Sequence, residues 1–192
     1  MDHQKHGIKK KALQAIACFL LLSCTIASAQ KNAIQIENQK AGTTDWLITG
    51  VKEQRCEYPD NQWCRRRNIE AYVSHQSINA GEKLKLFVST NPVSDFRCDI
   101  YRMGYYGGKG GRKMLSTGRL KGMMQAEPQP DSVTNLFECN WKENYSFTIP
   151  KDWLSGVYVG KLTTLKDSSQ TYVIFIVRDQ RKPDFLFQCS DM

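Results

Sequence analysis

Histidine is scarce in this sequence of 192 residues. His3 and His6 lie at the extreme N-terminus, and His75 is the third and last. A metal site built from several histidines is therefore excluded by number. A hydrolase that relies on a histidine base would have to use His75. That residue ends an alternating segment, and we expect it to be an ordinary surface histidine at the end of a strand.

Several chemical motifs are also missing. No Cys-x-x-Cys pair occurs, which removes the usual signature of a structural zinc site. The glycine-rich stretch around Lys109 departs from a phosphate-binding loop, because Met103 stands where the first glycine belongs and Gly110 replaces the Ser or Thr after the lysine. No helical pattern follows, as a dinucleotide-binding fold requires. No pair of carboxylates stands out at a strand end, so glycosidase chemistry has no local support.

Long apolar runs are absent, and the run at residues 12–23 is too short to span a bilayer. Lys9-Lys10-Lys11 precedes it and Ala27-Ser28-Ala29 follows it. This order is typical of a secretory signal peptide cleaved before Gln30. The sequence thus predicts an exported protein, periplasmic or extracellular. The alternative is lipoprotein processing at Cys24, which would anchor the chain to a membrane by lipid.

Positive charge exceeds negative charge in this chain. Lys and Arg number 27 against 19 Asp and Glu, a net charge of +8. Four of the lysines and one aspartate lie in the predicted signal peptide, so the mature chain would carry +5. Basic clusters at residues 65–67 and 109–113 would suit a nucleic-acid surface in principle. Export argues against that partner, and we expect these clusters to be solvated faces.

Five cysteines follow the predicted cleavage site, and export permits disulfides. Five cysteines allow 15 ways of forming two bridges, so the sequence cannot fix the connectivity. The first pair that we expect is Cys56 with Cys64, which flank a short loop. Cys98 with Cys139 is the second, and Cys189 is left single.

Strand patterns dominate the rest of the chain. The predicted strands are residues 34–37, 46–51, 69–76, 83–88, 96–103, 112–117, 145–149, 157–164 and 171–177. Residues 118–144 are predicted to be irregular. Short strands separated by turns predict an all-β fold, specifically an immunoglobulin- or fibronectin-like β-sandwich.

Two late strands carry further information. Tyr158 follows a glycine turn just inside a strand, where a tyrosine corner would bond its hydroxyl to the preceding backbone; plain core packing and an exposed aromatic are the alternatives. The strand at residues 171–177 is apolar on both faces, whereas a strand with one solvated face would alternate. We therefore expect its second face to contact something.

The glycine loop, residues 104–111, is the richest candidate site. One interpretation is a plain connection between two strands, in which the glycines supply positive φ angles. The other is a contact loop, in which Tyr105, Tyr106, Lys109 and Arg112 present aromatic and cationic groups to a neighbour or a ligand. The residues alone leave both open.

Six blocks of sequence, in this order, resemble one known family. They are residues 69–82, 84–92, 99–112, 150–158, 172–179 and 184–191. The most specific are Ile-Tyr-Arg-Met-Gly-Tyr-Tyr-Gly-Gly, which begins at Ile100, and Ser-Gly-Val-Tyr, which ends at Tyr158. Together they resemble the large (β) subunit of N,N-dimethylformamidase and its exported relatives, over most of residues 34–191.

The resemblance implies a β-sandwich region that is N-terminal to a larger α/β domain similar to glutamine amidotransferases. In that family, amide hydrolysis uses one iron held by tyrosine and glutamate side chains of the later domain. No residue of this chain would inherit those roles, and no cofactor is expected in it. The resemblance also implies that residues 184–191 are the first strand of the absent catalytic domain.

The predicted organisation has four parts. They are a signal peptide at 1–29, N-terminal strands with a Cys- and Arg-rich loop at 30–68, the sandwich at 69–180, and the start of a truncated catalytic domain at 181–192. The expected function is a non-catalytic module that packs against and positions the absent domain. The alternatives are a stand-alone exported module that binds a cell-surface or carbohydrate ligand, and an intact amidohydrolase.

Overall fold

A computed structural model describes residues 32–51, 53–55, 63–65 and 67–179 of the chain. The chain divides into two units, Met1–Asn32 and Ala33–Met192, and the described residues other than Asn32 belong to the second. The predicted signal peptide, the pairing of Cys56 with Cys64 and the predicted strand at 184–191 lie outside the described residues. No helix in the described part is long and apolar enough to cross a membrane.

Strands make up nearly all of the regular structure in these residues. One short helix, α1, spans Ala33–Glu37, and a 3-10 helix spans Tyr106–Gly108. The strands are β1 Glu53–Arg55, β2 Trp63–Arg65, β3 Ile69–Val73, β4 Ser77–Asn79, β5 Lys83–Thr90, β6 Phe96–Met103, β7 Gly111–Ser116, β8 Tyr145–Thr148, β9 Gly156–Thr164 and β10 Gln170–Arg178.

The strands form two packed sheets and a small hairpin. The larger sheet has the order β4-β10-β9-β6-β7, the smaller has the order β3-β5-β8, and β1 pairs with β2. Pairing is antiparallel except between β10 and β4, which run parallel. The prediction of an all-β sandwich is confirmed. A specific immunoglobulin-like kinship stays a prediction.

The core lies between the two sheets and follows the two-residue period of the strands. Leu84, Leu86 and Val88 of β5 are buried as predicted and face the larger sheet. The larger sheet contributes Phe96, Cys98, Ile100, Tyr158, Leu162, Val173, Phe175 and Val177. A cavity of about 10 Å³ remains between the sheets, so the interior is closely packed.

Tyr158 forms the predicted tyrosine corner. Its hydroxyl donates to the carbonyl of Leu154 over 2.8 Å. Its ring stacks on Trp153 at a centroid distance of 4.8 Å and on Phe175 at 5.6 Å. The buried hydroxyl therefore has a partner and fixes the turn that leads into β9.

We expect Tyr158→Phe to lower the free energy of unfolding by about 1 kcal/mol. The ring stack would survive, but the partly buried carbonyl of Leu154 would lose its donor. Urea unfolding of the two proteins measures the difference. Tyr105→Phe is the matched control, because Tyr105 is exposed, and it should unfold like the wild type. Equal midpoints for Tyr158→Phe and the wild type would contradict this role of the hydroxyl.

Two predicted N-terminal strands are wrong, and three strands, β1, β2 and β4, were not predicted. Residues 34–37 lie in helix α1, where Glu37 turns into the protein and is buried. Residues 46–51 belong to no sheet. Ser77–Asn79, which lies between two predicted strands, pairs with β10 as β4, because the chain returns to the larger sheet before it enters β5.

Residues 41–51 form a segment that we call the N-terminal strap, and it crosses the outer face of the larger sheet. Two backbone hydrogen bonds, from Thr43 N to the Gly111 carbonyl and from Gln170 N to the Gly50 carbonyl, tie it to β7 and β10, but side chains hold the residues between them, so no continuous strand ladder forms. Lys161 Nζ donates to the carbonyls of Asp45 and Leu47 over 2.8 and 2.7 Å. The Tyr172 hydroxyl donates to the carbonyl of Trp46. Gln170 Oε1 accepts from the amides of residues 49 and 50.

The strap partly confirms the expectation that β10 makes contacts on both faces. Val173, Phe175 and Val177 face the core, and Tyr172 on the opposite face bonds to the strap. Ile174, also on that face, is 59% exposed. The outer face of β10 is therefore covered near its beginning and open at Ile174.

The predicted pairing of Cys98 with Cys139 is wrong. Both are free thiols, Cys98 buried in the core and Cys139 exposed. Burial, reinforced by the negative charge of Asp99, raises the pKa of Cys98 to about 12. Cys98 is thus a protonated core residue, and a bridge would have to pull it out of the sandwich.

Candidate functional site

The four residues of the predicted contact loop point in different directions. Tyr105 is 71% exposed at the tip, and Lys109 is exposed beside it. Tyr106 has only 2% of its surface exposed, and Arg112 is half-buried on β7. The structure therefore leaves two of the four at the surface and turns the other two inward.

Tyr106 and Arg112 meet on Glu37 of helix α1. The Tyr106 hydroxyl donates to Glu37 Oε1 over 3.0 Å. Arg112 donates to the same oxygen from Nε and Nη2, over 2.7 and 2.6 Å. Lys40 Nζ pairs with the other oxygen at 2.6 Å. We call these residues, together with Arg102 on the far side of Tyr106, the Glu37 cluster.

The cluster keeps Glu37 ionised although only 3% of it is exposed. Burial alone would raise the pKa of this carboxyl group. Hydrogen bonds from Lys40, Arg112 and Tyr106, together with the charge of Arg112, outweigh burial and hold the pKa below its ordinary value of 4.5. The carboxylate is therefore a structural anion, since it is fully occupied by cationic and hydroxyl donors.

This lowered pKa predicts a specific acid sensitivity. Between the folded-state pKa and about 4.5, the unfolded chain binds more protons than the folded chain, so stability increases with pH in that window. The contribution of Glu37 is complete above about pH 4.5 and is lost as the pH falls through the folded-state value. Other carboxyl groups add similar slopes, so the measurement is the difference between two proteins. The unfolding free energy of Glu37→Gln should vary less steeply with pH below 4.5 than that of the wild type, and parallel curves would contradict this assignment.

Arg102 extends the cluster into the sandwich, and only 3% of it is exposed. Its Nη1 donates to the Tyr106 hydroxyl over 3.0 Å, and its Nη2 donates to the carbonyl of Ser155 over 2.9 Å. Gly156 makes room for it, because a Cβ at that position would lie 3.2 Å from Nη2 and φ there is 150°. The guanidinium thus joins the glycine loop to the turn before β9.

The glycine loop is also tied to the strap. The Trp46 indole nitrogen donates to the carbonyl of Lys109 over 2.9 Å. The indole lies so close to Gly110 and Gly111 that a Cβ on either would come within 2.9 Å of its ring. The amide of Thr43 donates to the carbonyl of Gly111. The glycines therefore permit close packing of the strap, which supports the interpretation of the loop as a connection.

Sequence reasoning missed Glu37 and Arg102. The strand predicted at residues 34–37 gives Glu37 no role. Arg102 shares the two-residue period of Phe96, Cys98 and Ile100 on β6, which places it on the face that packs into the core. A charged residue on a buried face calls for an internal partner, and that pattern could have identified it.

The Glu37 cluster does not fit an iron ion, although it contains a tyrosine and a glutamate. Every oxygen that could bind a metal already accepts a bond from a cation: Arg102 on the Tyr106 hydroxyl, Arg112 and Lys40 on the carboxylate. A divalent ion placed there would face these positive groups at close range. Within the described ranges, no group of three or more His, Cys, Asp or Glu side chains is arranged to hold a metal.

Two further features of the described part bear on chemistry. His75 is exposed after β3, and its Nδ1 lies 2.9 Å from the hydroxyl of the adjacent Ser74. That hydroxyl also accepts the amide of Lys85, so it is engaged in backbone structure. A cavity of about 60 Å³ lies beside Asn68 and Asp167, well below the few hundred Å³ usual for small-molecule sites.

Comparison with known protein families finds one that matches this chain. Residues 97–192 match the family described as N,N-dimethylformamidase beta subunit-like, C-terminal. The match begins in β6, contains β7 to β10 and extends through residues 180–192. No curated protein matches the sequence. The resemblance seen in the sequence is confirmed, but the matched region is described as C-terminal, whereas the sequence blocks predict an N-terminal region.

Among solved structures, the chain is similar to an uncharacterized protein from Bacillus anthracis strain Ames, whose crystal structure has 1.4 Å resolution. The identity is 13%, the alignment covers 56% of this chain and 80% of that chain, and the TM-score is 0.35. A score this low carries no argument about fold or function.

Proposed function

Since the chain belongs to the N,N-dimethylformamidase beta subunit-like family, we propose that it acts as a non-catalytic β-sandwich module. Its role is to pack against an amidohydrolase-type α/β domain and to position it. That domain, and not this chain, would hold the iron. The proposal assigns the sandwich a mechanical task, and the described residues support it in two ways.

The main support for the proposal is that two side chains of the candidate loop bind to Glu37 of the same chain and are not available to a ligand. Tyr106 and Arg112, the two residues best suited to bind a substrate or an anion, are both engaged with Glu37. Breaking those bonds to bind a ligand would leave a buried carboxylate without partners, which is costly. Tyr106 and Arg112 therefore serve the fold.

The open part of the outer face is the second support. Ile174 is 59% exposed beside a face that the strap otherwise covers. The same strand, β10, leads into residues 180–192, which belong to the matched family region. A further body packed beside β10 would remove this apolar side chain from water.

A binding experiment tests the proposal. The amidohydrolase-type α/β domain of a longer family member is expressed separately and mixed with this chain, and the complex is measured by size-exclusion chromatography with light scattering and by calorimetry. We expect a 1:1 complex that Ile174→Asp weakens at least tenfold. Leu165→Asp is the matched control, because Leu165 is exposed in the turn between β9 and β10, and it should bind like the wild type. Absence of a complex with the wild-type chain would contradict the proposal.

A stand-alone binding module is the second candidate, and the tip of the glycine loop favours it. Tyr105 is 71% exposed and Lys109 is exposed next to it, so an aromatic and a cationic group are available to a cell-surface or carbohydrate ligand. A glycan array probed with the wild type and with Tyr105→Ala separates the candidates. Binding that disappears in the variant would favour the second candidate, and an array without signal would count against it.

We place the protein outside the cytoplasm as part of the same proposal. The basic, apolar and small-residue order of residues 1–29 supports export. Mass spectrometry of the mature protein tests it, with Gln30 as the expected first residue. A lipid-modified Cys24 at the N-terminus would show lipoprotein processing instead, and an intact Met1 would contradict export.

A further inference from the structure

Four hydrogen bonds connect the N-terminal helix to the end of the last strand. The first two run from Glu37 Oε1 to the Tyr106 hydroxyl and from that hydroxyl to Arg102 Nη1, each 3.0 Å. The third joins Arg102 Nη2 to the carbonyl of Ser155 over 2.9 Å. The fourth joins the amide of Ser155 to Asp179 Oδ2 over 2.8 Å. We call this series the Glu37–Asp179 relay.

Donors and acceptors in the relay are consistent at every step. The Tyr106 hydroxyl accepts from Arg102 and donates to Glu37, which uses its single proton. Ser155 accepts through its carbonyl and donates through its amide, so both sides of one residue are held. Each donor in the relay therefore faces an acceptor.

Arg102 is the residue on which the relay depends. Its planar fork reaches the glycine loop with one nitrogen and the turn before β9 with the other, a geometry that a lysine cannot reproduce. Its Nε is buried and has no partner among the described residues. A buried N–H without a partner is unfavourable, so Nε does not favour this orientation of the guanidinium. The bonds of Nη1 and Nη2 and the space beside Gly156 hold it there.

Asp179 is the first residue after β10 and the last described residue of the chain. It follows β10, whose last residue pairs with Asn79 of β4, and it precedes residues 180–192. Its carboxylate is fixed on the Ser155 amide, which is part of the turn that Arg102 holds. The direction of the chain at this point is thus set by the turn and, through Arg102, by the glycine loop and helix α1.

We propose that Arg102 is a positioning residue that couples the N-terminal helix to the exit of the chain from β10. The relay fixes the position of Asp179, the first residue after β10, and, in so far as the proposed function holds, the point from which the domain that follows is oriented. Arg102 acts here through Ser155 and Asp179.

Limited trypsin digestion of the full chain tests the relay without any catalytic domain. Trypsin can cut after Arg181, two residues beyond Asp179, and the bond after Lys182 is protected by Pro183. We expect Asp179→Asn, Tyr106→Phe and Arg102→Lys each to accelerate cleavage after Arg181 at least threefold. Arg97→Lys is the matched control, because Arg97 is an exposed arginine on the same strand, and it should be cleaved at the wild-type rate.

The pattern of rates decides between the relay and a local role of Asp179. Fast cleavage in Asp179→Asn with wild-type rates in Tyr106→Phe and Arg102→Lys would overturn the relay, because the exit would then depend on Asp179 alone. Near-ultraviolet circular dichroism confirms that each variant is folded. If Arg102→Lys fails to fold, Tyr106→Phe, which removes only a hydroxyl, decides the result. A double variant Tyr106→Phe/Asp179→Asn should be cleaved no faster than the faster single variant, whereas multiplied rates would overturn the coupling.

The outcome is distinguishable from that of the binding experiment. If the expected cleavage pattern is found but the chain binds no α/β domain, the relay is supported and the proposed function is contradicted. If the chain binds the domain but Tyr106→Phe and Arg102→Lys are cleaved at the rate of the Arg97→Lys control, the proposed function is supported and the relay is contradicted.

Discussion

Replacing Glu37 by alanine should lower the free energy of unfolding by about 3 kcal/mol. The substitution leaves Arg112 and the Tyr106 hydroxyl without the carboxylate that both contact. Removal of one partner from a buried ion pair typically costs about 3–5 kcal/mol. We expect the lower end, because 24% of the Arg112 side chain remains exposed to water. Guanidinium unfolding measures the loss.

A matched control separates this effect from the loss of any glutamate. Glu70 pairs with Arg67 at 3.8 Å on the surface, with both side chains largely exposed, and Glu70→Ala should cost less than about 1 kcal/mol. Hydrogen exchange adds a local readout: in Glu37→Ala the amide of Tyr105, which donates to Asn38, should lose protection. Equal stability losses in the two variants would show that Glu37 does not anchor the N-terminal helix.

Replacing Lys161 by methionine should have the second largest effect, a loss of about 2 kcal/mol. The stem of the side chain keeps its length, but the carbonyls of Asp45 and Leu47 lose the ammonium that donates to both. A hydrogen bond that involves a charged group contributes about 1.5–3 kcal/mol. Burial lowers the pKa of Lys161, so removal of the charge returns part of the desolvation cost, and the expected loss is correspondingly moderate.

The strap is the element that should respond to this change. Exchange of the amides of residues 49 and 50, which donate to Gln170, should accelerate in Lys161→Met. Lys166→Met is the control, because Lys166 is exposed five residues further along the chain, and it should leave both stability and exchange unchanged. Wild-type exchange in Lys161→Met would mean that the strap is held by its other contacts.

The sandwich could be predicted from the sequence where local pattern and tertiary structure agree. In β5 an apolar residue recurs at every second position, so Leu84, Leu86 and Val88 could be assigned to the core from the pattern alone. Tyr158 could be placed in a corner because a glycine turn and a strand start determine where its hydroxyl points. These features depend on the two-residue period of a strand, which the sequence displays directly.

The N-terminal helix, the strap and the Glu37 cluster could not be predicted in the same way. Residues 46–51 look like a strand, but their backbone groups are satisfied by Lys161, Tyr172 and Gln170, which lie more than one hundred residues further on. Glu37 is buried only because Arg112 and Tyr106 arrive from a distant loop. Propensity is a weak guide when partners so remote decide the conformation.

The four residues of the candidate loop divide into an inward pair and an exposed pair. Tyr106 and Arg112 do make aromatic and cationic contacts to a neighbour, as the contact-loop interpretation requires, but that neighbour is helix α1 of the same chain. Tyr105 and Lys109 keep the exposure that a contact loop requires. The sequence alone has no means of dividing the four residues into these two pairs.

The claim that this chain is a non-catalytic module that positions a catalytic domain is tested most directly by measuring amide hydrolysis with the two proteins apart and together. N,N-dimethylformamide hydrolysis is measured with this chain alone, with the amidohydrolase-type α/β domain alone and with both, each supplied with iron. We expect no hydrolysis by this chain alone, and higher activity of the α/β domain when the chain is added. Hydrolysis by this chain alone would contradict a non-catalytic module, and activity of the α/β domain that does not change on addition of the chain would contradict a positioning role.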